Sequence, residues 1–447
     1  MQVLRPPASP IQMPHNRKVL SAMSLELRVG VIGAGSSGCG HMFNLEYFSP
    51  GCIKSFCDVT RENFDRIVGA TVGGAANAAG DFRADPRQVR PSLRDIPFYT
   101  DPEEMIVKEK LNVVTINTFC RDHFDMVKLA VKHNQHILLE KPIAIDADDI
   151  EATWELLADY PKVATVNFTM RGAPVTLAAR DHIQTHGTIG DIVQVQYVNN
   201  VHYGDNYFRG WMRRSENVGD LFLQKATHDF DIINTLIGLT PRRVAAFGSR
   251  KVYGGSRPNE LTCAECDDKW TCSKSLYRAN LDGGRSGSGP KHQSCVFADE
   301  IDIDDNQTVI FQYDGGVNVS YSQSFFAPPG GGQRGGYFVG SEGILRLHYY
   351  HKFADAGEGH TASGASSIEI TQRLEKPRSR KLEVYDWAGA SHFDGTRYGF
   401  AGKLELIRGG QSDVAGSIRE GYVSAKMCLA AQQSIETGQV VDLHFPF

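Results

Sequence analysis

Four polar residues lie close together within an otherwise apolar segment that runs from Leu221 to Gly238. They are Gln224, Lys225, His228 and Asp231, at positions i, i+1, i+4 and i+7. In one helix this spacing places them on one face, a turn apart. Burying such polar groups costs free energy, so their presence in an apolar helix indicates a functional purpose. Since an imidazole titrates near neutral pH, the stripe predicts acid–base chemistry, the alternative being a satisfied core histidine.

A second stretch has the spacing of a phosphate-binding turn. Residues 29–38 read Val-Gly-Val-Ile-Gly-Ala-Gly-Ser-Ser-Gly, a β-branched strand that ends in G-x-G-x-x-G. Gly33 permits the tight turn, Gly35 lets a pyrophosphate approach the backbone, and Gly38 lets the next helix pack close to the strand. The first N–H groups of that helix, beginning at Ser36 and Ser37, then face the phosphates.

An acidic residue in the right place makes this motif more specific. The apolar strand 53–57 ends at Asp58, twenty residues after Gly38. A carboxylate there accepts hydrogen bonds from the ribose hydroxyls and repels a 2′-phosphate. The sequence therefore predicts a bound dinucleotide, NAD rather than NADP, although Arg61 leaves some room for the phosphate. A β-turn-α unit without a nucleotide is the alternative.

The tripeptide Glu140-Lys141-Pro142 follows a later apolar strand, 136–139. Ligands of doubly wound sheets bind outside the carboxyl ends of the strands, so Lys141 is expected at the nicotinamide end of the dinucleotide. Other residues near strand ends are expected to contact the cofactor too, namely Asn117, Thr118, His123 and Glu140.

A loop after residue 200 is rich in aromatic and polar residues, including His202, Tyr203 and Trp211. Such a loop suits a sugar, because rings stack on C–H faces and polar groups bind hydroxyls. Arg171, Arg213 and Arg214 would suit an anionic sugar, although an exposed basic face explains the last two equally well. A solvated loop with a few packed aromatic residues is the alternative.

The elements around these residues predict an α/β protein. From residue 27 to about 146, strands and helices alternate, which is typical of a Rossmann domain with a doubly wound parallel sheet. Residues 69–80, rich in glycine and alanine, interrupt this pattern as a loop or loose helix. Residues 147–447 contain strands joined by turns, and we expect an α/β domain with a large open, mostly antiparallel sheet.

Composition sets broad limits. The 447 residues carry a net charge of −5, with no basic stretch for nucleic acid and no apolar run of membrane-spanning length. Residues 1–26 contain several prolines and no signal-peptide core, so we expect a disordered extension, with Met23 an alternative start. These features predict a cytoplasmic protein with no nucleic-acid or membrane partner.

An insert at about residues 250–300 contains Cys263, Cys266, Cys272 and Cys295, with His292 close to the last. Four thiolates, or three with the histidine, could hold a structural Zn²⁺ in tetrahedral geometry. Free thiols and a disulfide remain alternatives, because the spacing is looser than in paired Cys-x₂-Cys motifs.

From Leu27 to Leu443 the chain resembles the Gfo/Idh/MocA family, named after glucose–fructose oxidoreductase and inositol dehydrogenase. The motifs that carry the resemblance are the glycine turn 33–38, Thr100-Asp101-Pro102-Glu103-Glu104, Glu140-Lys141-Pro142, the helix with His228-Asp229-Phe230-Asp231, and the tail 436–443. The resemblance implies NAD(P), a sugar, cyclitol or related carbinol substrate, and a homo-oligomer, a dimer or tetramer, formed through the C-terminal sheet. It also places His392 and Asp394 near the cleft, with a solvated loop as the alternative.

By the same resemblance, Lys141 orients the substrate and nicotinamide, and His228 is the acid/base at the reacting hydroxyl. The chain departs from the family where many members carry aspartate four residues before that histidine. Here the position is Gln224, which cannot ionise, so acid–base work falls to His228 with Lys141 or Lys225. The residues expected to bind substrate are Arg171, His202, Tyr203, Trp211, Gln224 and Asp231.

Three functions remain open. The first is an NAD-dependent sugar or cyclitol dehydrogenase. The second is a redox-neutral, NAD-dependent glycoside hydrolase, which oxidises a ring hydroxyl, eliminates the aglycone, adds water and returns the hydride. That reaction needs a second base, for which Tyr203, His202 and Lys225 are candidates. The third is a nucleotide-sensing or structural protein that has lost its chemistry.

Overall fold

The first six strands of the chain form a parallel sheet. They are β1 (Val29–Ile32), β2 (Ile53–Cys57), β3 (Phe98–Tyr99), β4 (Val113–Ile116), β5 (His136–Leu139) and β6 (Ala164–Val166). Their order in the sheet is β6-β5-β4-β1-β2-β3. A computed structural model describes residues 25–65, 93, 95–281, 294–328, 330–350, 365–373, 378–384 and 395–447. The predicted extension as far as residue 24, the loop 69–80, His292, His392 and Asp394 lie outside these residues.

Helices connect the parallel strands, as the alternating pattern predicts. They are Ser36–Phe48, Pro102–Lys108, His123–Lys132 and Ala147–Leu157. The second begins where the sequence indicates, because the Asp101 carboxylate accepts hydrogen bonds from the N–H groups of Glu103 and Glu104, and proline occupies the first turn. Strands β1 and β4 are buried along their whole length, which explains their continuous apolar runs.

A second, larger sheet is mostly antiparallel, as predicted. Its strands are β7 (Ile192–Asn200), β8 (Pro241–Ser249), β9 (Asn306–Tyr313), β10 (Asn318–Ser324), β11 (Gln333–Gly340), β12 (Gly343–His348), β13 (Ser366–Gln372) and β14 (Arg378–Val384). Their order is β14-β13-β12-β11-β7-β10-β9-β8. Among the described strands of this second sheet, only β7 and β10 pair in parallel. The predicted α/β fold class is confirmed.

Helices cover one face of the second sheet. The helices Thr227–Ile237 and Ile418–Thr437 lie against its inner face, where Phe230 packs on Phe311 of β9. The opposite face exposes large apolar side chains, among them Val193, Phe247, Ile310, Tyr337 and Ile344. Strand β9 shows the alternation, with Val309 buried and its neighbours Thr308 and Ile310 exposed.

The end of the chain joins the two sheets. Strand β15 (Gly416–Ser417) pairs antiparallel with β6 of the first sheet, and β16 (Val441–Asp442) pairs with β8 of the second. The helix Ile418–Thr437 runs between them, begins with a capping box of Ser417 and Glu420, and ends at Gly438. Two strands beyond the predicted boundary at residue 146, β6 and β15, thus lie in the first sheet.

The remaining helices are Pro174–Arg180, Ser215–Val218, Leu276–Leu281 and Gly395–Ile407. The last was not predicted, and it packs beside the first helix of the nucleotide-binding region. Among the residues that the structure describes, no helix combines the length and apolar character needed to cross a bilayer.

Candidate active site

The glycine turn has the geometry that its spacing predicts. Gly33 has a φ of +83°, and a Cβ on it would lie 2.5 Å from the carbonyl oxygen of Asn117. A Cβ on Gly38 would lie 1.8 Å from the carbonyl oxygen of Gly33, so only glycine permits this approach of helix to strand. A Cβ on Gly35 would meet no heavy atom within 4 Å. The middle glycine therefore faces open space, as an approaching pyrophosphate requires.

Asp58 lies against this turn. One carboxylate oxygen accepts a hydrogen bond from the N–H of Ala34 at 2.8 Å, and the other from the N–H of Val59 at 2.7 Å. Arg61 pairs with Asp65 at 3.1 Å, and its guanidinium lies 5.7 Å from the ring centroids of both Phe56 and Phe64. The acid is thus positioned by the turn, while the nearby cation is engaged elsewhere.

The residues at the end of β4 fit a dinucleotide. Within the described chain, Oδ1 of Asn117 and Oγ1 of Thr118 are buried side-chain atoms without a hydrogen-bond partner. Buried polar atoms are normally paired, so these two fit a ligand that supplies partners. Together with the open approach at Gly35, they fit a nicotinamide dinucleotide, to which Ser36, Ser37 and Gly38 would present the helix N-terminus.

Glu140 is the centre of a buried polar network. Its Oε1 accepts hydrogen bonds from Ser37 Oγ at 2.8 Å and Asn167 Nδ2 at 2.6 Å, and it lies 2.8 Å from Nε2 of His41. Burial opposes ionisation of Glu140, but hydrogen bonds and nearby positive charge outweigh it and hold its pKa well below the usual range. The carboxylate therefore fixes this corner of the site, and its predicted contact with the cofactor stays a prediction.

A lysine from a distant part of the chain completes this network. Nζ of Lys403, in the helix Gly395–Ile407, hydrogen-bonds Oδ1 of Asn167 and lies 4.3 Å from the centroid of the Phe400 ring. Burial lowers the pKa of Lys403 to about 7, with Glu140 opposing the shift. The sequence analysis did not predict His41, Asn167 or Lys403 as residues of the site. Of the three, only Asn167 had a recognisable sequence signal, because it directly follows an apolar strand.

Lys141 projects from the end of β5 toward the second domain. Its Nζ donates a hydrogen bond to the main-chain carbonyl of Gln224 at 2.8 Å. Burial lowers the pKa of Lys141, and Lys225 adds to the shift, while Glu140 and Cys120 oppose it. His123 supports this turn from behind, because its Nδ1 lies 2.7 Å from the carbonyl oxygen of Pro142. His123 is thus a positioning residue, and its predicted cofactor contact stays a prediction.

The segment that carries the predicted polar stripe is not one regular α-helix. Residues Phe222–Ala226 form a π-helical turn, and the α-helix Thr227–Ile237 follows and ends at Gly238 in the left-handed conformation. The prediction of one continuous α-helix from Leu221 to Gly238 is therefore wrong for its first turn, which is wider than an α-helical turn. Such π turns frequently occur at functional sites.

The four residues of the stripe consequently have different neighbours. The Gln224 amide donates to Sγ of Cys120 at 3.0 Å, while Nζ of Lys225 hydrogen-bonds the hydroxyl of Tyr203. His228 is buried and makes an edge contact with Phe168, the centroids being 6.2 Å apart. Cys120, after β4, is another residue that sequence reasoning did not select.

Arg171 and Asp231 bind each other. Nε of Arg171 lies 2.9 and 2.8 Å from the two carboxylate oxygens of Asp231, and its Nη1 donates to Glu420 at 2.9 Å. Burial raises the pKa of Asp231 to about 6, although Arg171 opposes the shift. The two side chains thus neutralise each other in a buried ion pair, and their predicted substrate contacts stay predictions.

The aromatic loop lies at the rim of this site. The rings of His202 and Tyr203 contact edge to face at 4.9 Å, and burial, with the charge of Lys225, lowers the pKa of His202 to about 4. Trp211 packs on Phe119 of the first domain with centroids 4.7 Å apart, and both rings are exposed. This exposed pair joins the two domains, and Phe119 was not predicted.

The cysteines of the insert converge. Cys263, Cys266, Cys272 and Cys295 line one cavity of about 70 Å³, and none is in a disulfide. In the described chain, no three histidine, cysteine, aspartate or glutamate side chains form a ready-made metal ligand set. The convergence supports the prediction of a shared site, while the zinc itself stays a prediction.

Two family models cover most of the chain. The Gfo/Idh/MocA model described as the oxidoreductase family, NAD-binding Rossmann fold, matches residues 27–168. The model described as the C-terminal alpha/beta domain of that oxidoreductase family matches residues 184–443.

Individual relatives share between 22% and 28% of the aligned residues with this chain. YteT of Bacillus subtilis is 28% identical over 56% of this chain and 65% of its own length. The scyllo-inositol 2-dehydrogenase (NAD(+)) of the same organism is 25% identical over 51% and 58% of the two chains. Glycosyl hydrolase family 109 protein 1 of Bacteroides thetaiotaomicron is 22% identical over 59% and 54%. The chain thus spans between half and two thirds of the length of these relatives.

Among solved structures, levoglucosan dehydrogenase in complex with NADH and levoglucosan superposes with a TM-score of 0.66. The match is 17% identical and covers 93% of this chain and 99% of that one. At this identity the likeness establishes the common fold.

Proposed function

Because the chain belongs to the Gfo/Idh/MocA oxidoreductase family, we propose that it transfers a hydride between NAD and a carbinol carbon of a sugar, cyclitol or glycoside. One observation carries this proposal. The ammonium of Lys141, at the carboxyl end of the parallel sheet, reaches the π turn that precedes His228. We propose that Lys141 and His228, which follows that turn in the chain, act on the same substrate hydroxyl.

NAD is the proposed cofactor because of the surroundings of Asp58. Its carboxylate is held against the glycine turn by the N–H of Ala34, where it would meet the adenosine ribose hydroxyls. Arg61 is paired with Asp65 rather than directed to a 2′-phosphate. Bound there, the nicotinamide would supply the hydride acceptor for the substrate carbon.

The protein residues supply orientation and proton transfer. His228 takes the proton of the reacting hydroxyl, for which a neutral imidazole is suited near pH 7. Lys141 orients that hydroxyl through its ammonium, and its own position is fixed by the carbonyl of Gln224. Because burial and the neighbouring Lys225 lower the pKa of Lys141, it can also exchange a proton more readily than an exposed lysine.

The proposed substrate class follows from the rim of the site. Trp211 and Phe119 present exposed rings on which sugar C–H faces can stack, while Tyr203 and His202 offer polar edges. The relatives named for inositol and glycoside substrates support this class of polyhydroxylated ring.

The redox-neutral glycoside hydrolase remains a second candidate because of one contact. Nζ of Lys225 hydrogen-bonds the phenol oxygen of Tyr203. Tyr203 could then act as the base that removes the C–H proton made acidic by a neighbouring ketone, after which the aglycone leaves, water adds and the hydride returns. The Glycosyl hydrolase family 109 relative supports including this reaction.

A direct assay separates the two candidates. The purified chain is supplied with NAD⁺ and a panel of free sugars, cyclitols and aryl glycosides, and both NADH and aglycone are measured. Steady NADH formation supports the dehydrogenase. Aglycone release without net NADH, dependent on NAD⁺, supports the hydrolase. Turnover in neither assay, although NAD⁺ binding is measured by calorimetry, would overturn the proposal.

Tyr203→Phe provides the matched variant. It removes the phenol and leaves the ring that packs on His202. A hydrolase that uses this base loses aglycone release but still exchanges hydride, whereas a dehydrogenase keeps most of its NADH formation.

Two further parts of the proposal concern the whole protein. The exposed apolar residues on the outer face of the second sheet support a homo-oligomer formed through that face. Light scattering of the wild type and of Phe247→Asp tests this, because a charge at an interface should weaken the assembly. The cytoplasmic location stays a prediction.

A further inference from the structure

Four of the nine cysteines lie in one short segment, and the fold brings all four to one cavity. Cys263 lies within a turn in which the N–H of Glu265 bonds the carbonyl of Thr262 at 3.2 Å, and Cys266 directly follows that turn. A single antiparallel bridge pairs Thr262 with Ser294, and the N–H of Cys295 bonds the carbonyl of Leu261 at 2.8 Å. Cys295 is therefore held beside the turn by the backbone.

The third cysteine of the sequence motif is brought back in the same way. Two consecutive turns connect it to Cys266, with the N–H of Lys269 bonded to the carbonyl of Cys266 at 3.1 Å and the N–H of Cys272 to that of Asp268 at 2.8 Å. The backbone itself thus converges the four thiols, although 32 positions separate the first from the last.

The charge around the cavity is positive. Arg209, Arg257, Lys269 and Lys274 line it, and Asp268, the acid among the lining residues, is paired with Arg257 at 2.6 Å. Arg209 is fully buried, and its Nη1 lies 3.6 Å from Sγ of Cys263. Asp205 pairs with Arg209 at 3.1 Å, while Arg257, Lys269 and Lys274 are partly or largely exposed. Four thiolates on a divalent ion leave about two negative charges, which these side chains can balance.

The segment also needs a cross-link. Much of its backbone between residues 258 and 275 is in turns, and its apolar contribution to the core is small. Short, irregular segments of this kind are often stabilised by a metal or by disulfides.

We propose that Cys263, Cys266, Cys272 and Cys295 bind one structural zinc ion. The four thiols line one cavity, and binding requires their side chains to rotate toward the ion, because the described residues do not already form a metal ligand set. Each cysteine binds as a thiolate and releases its proton to solvent, with no change in oxidation state.

The site also has a mechanical connection to the proposed substrate loop. Nε of Arg209 donates to Asp205 at 3.1 Å, and its remaining donors reach Cys263 and the carbonyls of Ser294 and Lys274. Asp205 is two residues from Tyr203. The ion would therefore stabilise the base of the aromatic loop, a role independent of the reaction that the enzyme catalyses.

Metal analysis of the full-length chain tests the proposal. Protein purified without a metal-affinity tag is analysed by inductively coupled plasma mass spectrometry, and about one zinc per chain is expected. Cys263→Ser and Cys295→Ser should each remove most of it. Cys52→Ala, which changes a buried thiol outside the insert, is the matched control and should retain the zinc. Metal-free protein after zinc reconstitution, or equal zinc in all variants, would overturn the proposal.

A spectroscopic test uses the wild type, so it does not depend on folding of the variants. Replacement of zinc by Co²⁺ should give intense sulfur-to-cobalt charge-transfer bands and the visible bands of a tetrahedral tetrathiolate. Cobalt bound without sulfur bands, a disulfide between any two of these cysteines, or the brown absorbance of an iron–sulfur cluster would each contradict a zinc tetrathiolate site.

Discussion

Nζ of Lys141 lies 2.8 Å from the main-chain carbonyl of Gln224 and donates a hydrogen bond to it. The first residue lies two positions after strand β5 of the nucleotide-binding sheet, and the second lies in the π turn before the His228 helix. The main chain of the second domain therefore fixes the position of Lys141, a candidate catalytic residue of the first domain. Because the acceptor is a main-chain atom, replacing the glutamine side chain would leave this bond intact.

His228→Ala should lower turnover by at least about 100-fold, because removal of a general acid–base group typically costs that much. NAD⁺ binding should be unchanged, since the histidine lies in the second domain. Steady-state kinetics and calorimetric titration with NAD⁺ measure the two effects. His182→Ala, in the π-helical turn Asp181–Thr185, is a histidine control expected to retain turnover. An unchanged turnover rate in His228→Ala would contradict the assignment of His228 as the acid–base residue.

Asp58→Ala should weaken NAD⁺ binding by about 10- to 100-fold, as expected for loss of charge-assisted hydrogen bonds to the ribose. The relative preference for NADP⁺ should rise, because the charge that repels a 2′-phosphate is removed. The ratio of kcat/KM for the two cofactors measures this. Asp65→Ala, which releases Arg61 from its ion pair, is the comparison, and an unchanged ratio in Asp58→Ala would argue against its role.

Arg171→Met should destabilise the protein by about 3–5 kcal/mol, because Asp231 is then buried without its partner. Urea unfolding measures the change. In the double variant Arg171→Met with Asp231→Leu much of that stability should return, because no unpaired charge of this pair stays buried. Normal stability with a raised substrate KM in the single variant would instead indicate direct substrate binding.

Lys403→Met should flatten the pH dependence of stability between pH 7 and about 10. The pKa of Lys403 is lowered by burial to about 7 in the folded chain, whereas an exposed lysine titrates near 10.5. Between these two pKa values Lys403 is protonated in the unfolded chain and neutral in the folded chain. The contribution of Lys403 to the free energy of unfolding therefore rises with pH, by up to about 1.4 kcal/mol per pH unit. Denaturant unfolding at several pH values measures the slope, with the exposed Lys108→Met as control. Equal slopes for wild type and Lys403→Met would contradict this account.

Much of the local structure was predictable. The glycine turn and the start of the capped helix after Asp101 follow from short-range patterns that the structure reproduces. In each case the signal is steric or periodic and involves neighbouring residues. Helix Gly395–Ile407 was missed because its pattern of apolar residues is weak, and its position depends on contacts with the first domain.

The candidate site was predictable only in part. The residue types near the active site were visible in the sequence, but their pairing was not. Gln224 contacts Cys120, whereas its neighbour Lys225 contacts Tyr203, and neither contact follows from the spacing of the residues in the sequence. Asp231 is bound by Arg171, which lies 60 positions earlier.

Local sterics and the hydrophobic period specify the nucleotide-binding turn, the alternation of strands and helices, and the side chains available for chemistry, so these features are visible in the sequence. The pairing of charges, the contact of Lys141 with the π turn, and the convergence of four cysteines on one cavity arise from tertiary packing. Such pairings are set by burial: a charge removed from water binds whichever opposite charge or dipole the fold brings within reach, whatever its distance along the chain.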